Sequence, residues 1–320
     1  MRKKRTAALA CVLAALASLF LGAAALSPLE LLTGVGSAAG RIFWYVRLPR
    51  TAACLLAGAA LSVAGCVIQN VLANPLASPN IIGVNAGAGL AVTVCCALGS
   101  LSGWVLAGAA FGGAFLAVLA VSLAAKAAGG SRTAVILSGV AMNAFLGAMS
   151  DAVTDLVPDA AAMSADFRVG GFGAVVPARL IPAGILILLA LGAVFALHRE
   201  LEILSLGEEI ARSLGVNASR MRTVFLALAA LLCGAAVSFA GLLGFVGLIV
   251  PHAVRRFAGT ECRALLPLAA LWGGAFVTAC DLLARLAFRP QELNVGILLS
   301  ALGGPFFLYL LSKRGGGRDA

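Results

Sequence analysis

The sequence predicts an all-α membrane protein: one domain over residues 1–320, built as a polytopic bundle of about ten transmembrane helices. Three observations carry this. Hydrophobic residues make up 62% of the chain and charged residues 11%, with a mean hydropathy of +1.05; so few charges cannot cover a water-facing surface. The apolar runs continue unbroken over membrane length instead of alternating, which excludes an outer-membrane barrel. The 38 glycines, with abundant alanine, suit helices that approach closely through small side chains. The net charge of +10 bears on topology and not on nucleic-acid binding, because in a membrane chain the side on which charges lie matters more than their sum.

Taken in order, the basic start from Met1 to Arg5 leads into an apolar run from Thr6 to Leu26. A signal peptide cleaved before Ser27-Pro28 fits the same residues. The run is of spanning length, however, and its basic start would hold it in the cytoplasm, so an uncleaved first span is preferred. Further spans are expected near 48–72, 81–100, 103–126, 134–156, 179–198, 219–239, 242–258, 264–287 and 294–312. An even number of crossings places both termini inside, and all but seven of the 23 Lys+Arg then fall on the inner side. The exceptions are Arg41, Arg47, Arg50, Arg168, Arg179, Arg285 and Arg289. Either they meet a negatively charged extracytoplasmic partner, or they pair with Glu30, Asp281, Glu292 or lipid headgroups. Asp281 and Arg285 stand four apart on one helix face, as such a pair requires.

The segment 47–88 is the most informative. Pro75 and Pro79 lack backbone donors and push the residues before them out of helical geometry, so the chain must turn between Asn74 and Asn80 and re-enter the membrane. Irregular backbone at that depth survives only where protein buries it or where it lines a cavity. Asn74 therefore either satisfies free backbone groups or forms a constriction on a pathway. The run Gly58–Gly65 also echoes Gly234–Gly241, with a proline ten residues beyond each (Pro75, Pro251). An inverted repeat of spans two to five and seven to ten would explain this, although chance similarity competes in a chain so rich in Ala and Gly. The expected span 134–156 carries Asn143, Asp151, Thr154 and Asp155; intramembrane polar groups are costly enough to suggest a pathway lining, with placement at the interface as the alternative.

Residues 204–216 form the longest polar stretch on the inner side. Leu206, Ile210 and Leu214 recur every fourth residue between Gly207 and Gly215, while Glu208, Glu209 and Arg212 are polar, which reads as a short amphipathic helix. It either lies on the membrane or docks on a protein. The eight cysteines sit mostly inside apolar runs without CxxC spacing or accompanying histidines, and read as small buried thiols, with no metal site.

Five motifs in order resemble the FecCD-type permeases of ABC importers, which take up ferric siderophores, haem and cobalamin: RLPR at 47–50, NPLASPNIIGVNAGA at 74–88, LGEEIARSLGV at 206–216, GFVGLIVPHAVRR at 244–256 and ELNVGILLSALGGPFFLYLL at 292–311. The resemblance covers nearly the whole chain. It implies a type II ABC importer permease fold, a homodimer or heterodimer with a second permease subunit, two cytoplasmic ATPase subunits and an extracytoplasmic substrate-binding protein. It further implies binding-protein docking by Arg47, Arg50 and Arg285, and a cytoplasmic gate at Asn74 and Leu76 joined by Ser131, Arg132 and Thr133. Coupling to the ATPase would fall to Gly207, Glu208, Glu209, Ala211, Arg212, Leu214 and Gly215. Arg132 stands where a small polar residue is expected, and residues 166–171 lack a tryptophan ahead of their glycines. No GxxxxGK[ST] phosphate loop is present, so ATP is expected to be used by the partner and no cofactor by this chain. The cargo expected is an iron chelate, first a ferric siderophore, with haem or cobalamin as alternatives. An ion-coupled secondary transporter would also explain broken helices and intramembrane acids. An intramembrane enzyme would need a nucleophile and base, yet His198 and His252 lie near helix ends and no GxSxG elbow occurs.

Overall fold

The computed structural model describes residues 2–22, 37–100, 102–287 and 291–315. Among these, every regular element is a helix. Glu30, Arg289 and the residues around Ser27-Pro28 lie outside the described residues.

Helix α1 (Arg2–Phe20) is followed by α2 (Ala38–Val71), which is continuous over 34 residues. A π-helical turn at Phe43–Arg47 precedes Pro49, the kind of local widening that accommodates a proline's missing donor and ring. α2 closes on Ala73 in left-handed geometry (φ 46°). The Asn74 N–H then reaches back 3.0 Å to the Gln69 carbonyl, a closure that satisfies an end carbonyl of the helix. A single 3-10 turn, Pro79–Ile82, and Gly83 at φ 87° lead into α3 (Val84–Ala97). Then come α4 (Gly103–Ala127), α5 (Arg132–Leu156), α6 (Pro158–Val169) and α7 (Pro177–Ala196). Two short helices follow, α8 (His198–Leu206) and α9 (Glu208–Ser213), and then α10 (Ala218–Ala240), α11 (Val246–Ala258), α12 (Cys262–Ala287) and α13 (Val295–Gly315).

Ten of these match the expected spans, but α2 begins at Ala38, ten residues ahead of the expected 48, and two others are short. The expected spans 81–100 and 242–258 are helices of 14 and 13 residues, only about 20 Å long against a hydrocarbon core of about 30 Å. The rest of each crossing is irregular backbone. Around the second break, the Leu242 N–H donates to Phe167 O (2.9 Å), Gly171 N–H to Ala240 O (2.8 Å) and Gly296 N–H to Gly170 O (3.1 Å). The irregular segments thus satisfy one another where water is absent.

α2 is the axis of the bundle. Of its membrane-length stretch 78% is buried, compared with 22% for α5, and α2 packs on α10, α11 and α12. The packing is backbone against backbone. A methyl group on Gly58 would collide with Gly273 O and one on Gly65 with Gly247 O; α3 meets α4 in the same way, where one on Gly87 would collide with Gly113 O. Such close approach replaces hydrophobic side-chain interdigitation as the source of packing energy in lipid.

Candidate functional site

The site residues divide between two ends of the bundle. At one end the three expected docking arginines are buried: Arg47, Arg50 and Arg285 expose 4%, 8% and 3% of their surface, and Asp281 exposes none. Arg50 Nη2 lies 2.9 Å from Asp281 Oδ1, and its Nη1 donates to Glu292 Oε2 at 2.6 Å. Arg285 Nε lies 3.0 Å from the other Asp281 oxygen, and its Nη2 donates to Ser18 Oγ at 2.7 Å. Arg47 Nη1 donates to the carbonyls of Leu19 and Phe20 (2.9 and 2.8 Å), capping the C-terminus of α1. Of the two uses weighed for these arginines, the chain by itself displays acid pairing for Arg50, with Asp281 and Glu292, and for Arg285, with Asp281, while Arg47 bonds backbone carbonyls. The three side chains clamp α1 to α2 and α12.

The opposite end holds the residues expected to form a gate and a coupling surface. Gly207 at φ 126° divides the stretch 204–216, so the amphipathic helix is limited to Glu208–Ser213, while Leu204 and Leu206 belong to α8. Leu206, Ile210 and Leu214 are exposed and Ala211 is buried, so the outward ridge is apolar. Glu208 turns inward, accepting from Arg212 Nη2 at 3.0 Å and from Arg222 Nη2 at 3.2 Å. Partial burial works against its ionisation, but the hydrogen bond and charge of Arg222, reinforced by Arg212, prevail and hold the carboxyl below its ordinary value. Glu209 remains exposed.

Arg222, which the sequence does not single out, joins these elements. It is buried, and besides Glu208 it donates from Nη1 to Gly130 O in the turn before α5. Arg132 Nη2 in turn donates to Leu204 O at 2.9 Å. These bonds close a ring through α9, α10, the start of α5 and α8. Within it Ser131 Oγ caps α5 by accepting from the Ala134 N–H at 3.0 Å, while Thr133 is exposed. Nothing in the spacing of Glu208, Gly130 and Arg222 signals their contact.

The re-entrant turn rests on α5. Asn143 Nδ2 donates to Asn80 O at 2.8 Å, and Gly139, one turn earlier, lies so close that a methyl group there would strike Ile81 O. Asn143 therefore supports the turn from α5. Asn74 Oδ1 accepts from the Leu76 N–H at 3.0 Å, which satisfies one of the backbone groups the break releases, and Leu76 lines a cavity of about 410 Å³ with Pro75. Asp151 and Asp155 are exposed near the other end of α5. Arg168 approaches Asp151 at 3.7 Å, and the Thr154 hydroxyl donates to the Asp151 carbonyl at 2.8 Å. Among the described residues no three His, Cys, Asp or Glu side chains are placed to hold a metal ion.

The model of the FecCD transport family matches residues 10–313. The chain belongs to the FecCD transport family. It is 39% identical over 290 residues to the cobalamin import system permease protein BtuC of Halobacterium salinarum, covering 88% of this chain and 76% of that one. It is 36% identical over 312 residues to the hemin transport system permease protein HmuU of Yersinia pestis, covering 95% and 93%. Its structure superposes on an inward-facing metal-chelate type ABC transporter with a TM-score of 0.85 at 26% identity, covering 97% of this chain and 98% of that one. This FecCD chain is accordingly the multi-pass permease component of an ABC importer, and ATP hydrolysis falls to a separate ATPase.

Proposed function

We propose that this FecCD permease, paired with a second permease subunit and driven by two cytoplasmic ATPase subunits, carries an iron chelate inward from an extracytoplasmic binding protein. A ferric siderophore is the cargo placed first; haem and cobalamin, which the names of two relatives carry, are the other readings. The single observation that carries the mechanism is the ring Glu208–Arg222–Gly130 with Arg132–Leu204. It supports a direct path from an ATPase seated on the Leu206–Ile210–Leu214 ridge to the first residues of α5, and from Asn143 to the re-entrant turn. Closure of the ATPases would move α9 and α5 together and open the turn at Asn74 and Leu76.

The charge bias supports an orientation with α9 and both termini in the cytoplasm. Lys3 Nζ bonds Phe257 O at 2.6 Å, so the N-terminus lies at the end of α11 beside Arg255 and Arg256. The exposed face of α5, with Leu137, Phe145, Met149 and, at its outer end, Asp151 and Asp155, suits a pathway shared with the second subunit. Two carboxylates facing lipid would be too costly. Docking of the binding protein through Arg47, Arg50 and Arg285 would require the bound acids to take over from Asp281 and Glu292, or the end of α1 to move aside.

The test is uptake into proteoliposomes containing the permease, its ATPase and its binding protein, comparing a ferric siderophore, haemin and cyanocobalamin. ATP-dependent uptake of the siderophore is expected, and Ile210→Asp with Leu214→Asp should reduce it more than tenfold while leaving folding intact. Uptake driven by an ion gradient without the ATPase would overturn the importer reading, and preference for haemin or cyanocobalamin would overturn the cargo.

A further inference from the structure

Arg50, Arg212, Arg222 and Arg285 each meet a carboxylate within 3.2 Å. Arg255, near the end of α11, is held instead by an amide: its Nη1 donates to Gln69 Oε1. Gln69 is buried, and its own Nε2 donates to Gly247 O at 3.2 Å. That carbonyl needs a donor, so the amide keeps its nitrogen on Gly247 and its oxygen on Arg255. An amide orients a guanidinium but leaves its charge uncompensated, whereas a carboxylate in the same place would cancel it. Among the described residues neither Arg255 nor Arg256 forms an ion pair. The charge opens onto the space at the Pro75–Leu76 turn, about 410 Å³, which Arg255 lines with His252 and Arg256, and no described carboxylate stands in its wall. The preference for cations on the inner side and the helix dipole both explain two arginines at the end of α11. Neither explains a buried amide that turns one of them toward an acid-free cavity.

We propose that the chelate leaving through this mouth carries a net negative charge, and that Arg255 and Arg256 select it while Gln69 positions Arg255. The inference rests on the reading of the Pro75–Leu76 turn as the inner gate of a cargo path. A cleft lined by one sign of charge raises the local concentration of the opposite sign by about tenfold or more. A guanidinium also offers five donors in a planar fork that suits carboxylate and catecholate oxygens, and only one donor of Arg255 is committed to Gln69. Asp151 and Asp155 are exposed near the other end of α5, so the potential along the path grows more favourable to an anion toward the gate. A neutral complex gains nothing from that gradient, and a cationic one is repelled at the exit.

The test is uptake into proteoliposomes holding the full-length permease with its ATPase and binding protein. Four complexes are offered: a ferric tris-catecholate and haemin, which are negatively charged, and a ferric tris-hydroxamate and cyanocobalamin, which are neutral. Uptake of a negatively charged complex is expected. Arg255→Gln with Arg256→Gln should lower it about tenfold, the low end of what such a cleft supplies, while ATPase stimulation by the binding protein stays at the parent level. Arg256→Gln alone, at an exposed position, should lower it severalfold, which covers misfolding of the double variant for want of the Gln69 contact. Arg256→Lys should retain uptake, and Gln69→Glu, which gives Arg255 the missing carboxylate, should reduce it with ATPase stimulation intact. Arg220→Gln, exposed at the same end but outside the cavity, should change nothing. Preference for a neutral complex, or equal losses in Arg220→Gln and Arg256→Gln, would overturn the anion reading and leave the importer standing. Loss of ATPase stimulation together with uptake would assign the arginines to coupling and likewise overturn it. Uptake of an anionic complex driven by an ion gradient, and still dependent on Arg255 and Arg256, would overturn the importer reading and support this one.

Discussion

The two ends of the bundle handle charge in opposite ways. At the Arg50 end, three arginines and Asp281 are buried and held within the chain, and the cluster joins α1, α2 and α12. At the α9 end, the charged groups of Glu208 and Arg212 remain accessible and a row of leucine and isoleucine faces outward. The first arrangement resists rearrangement, because separating a buried ion pair leaves uncompensated charge in a low dielectric. The second gives a partner an apolar foothold, with a charged link directly beneath it. Motion is therefore to be expected at the α9 end, and rigidity at the Arg50 end.

The contrast can be broken most forcefully at Asp281. Asp281→Asn leaves Arg50 and Arg285 facing each other with reduced compensation, and should cost about 3–5 kcal/mol, visible as a large drop in the thermal midpoint in detergent. A midpoint within error of the parent protein would mean that the cluster is not what fixes this end. Next comes the packing that connects the ends. Gly65→Ala pushes a methyl group into the backbone at Gly247 and should cost about 1–3 kcal/mol, whereas Gly108→Ala, where that space is open, should be neutral. The smallest effect is at Glu208. Its carboxyl titrates below its ordinary 4.5 when folded, so it contributes stability that is fully present above that value and is lost as pH falls through the folded value. Because the group is partly exposed, the loss should stay under about 1 kcal/mol. Glu208→Gln should flatten that limb of a stability–pH curve; an unchanged limb would assign it to other carboxylates.

Hydropathy alone located the helices because lipid forces whole crossings to be apolar, and Pro75 with Pro79 exposed the first break because proline chemistry is local. The second break was legible only in outline: Pro251 pointed to a short or broken span over 242–258, but nothing in that apolar run marks Phe245 as left-handed at φ 64°. At the site, Gly207 and Gly215 correctly framed α9, since each takes a positive φ. The direction of Arg50, the bond from Asn143 to the Asn80 carbonyl and the reach of Arg222 to Gly130 were not readable, because each partner is set by helix packing across distant parts of the chain. At Asn143, polarity inside a span suggested a pathway; its amide also bonds the broken backbone at Asn80.

The stitched backbone around Gly170, Leu242 and Gly296 has a consequence for synthesis. A half-length helix such as α11 cannot enter lipid as an independent unit, since the five residues ahead of it carry peptide groups that only another part of the chain can satisfy. The acceptor at Phe167 emerges from the ribosome earlier and can wait for Leu242, but the Gly170 carbonyl finds its donor only when Gly296 has been made. The final helix is thus a fastener, and chains truncated before it should be held by the insertion machinery or degraded, even though most of their crossings are already complete.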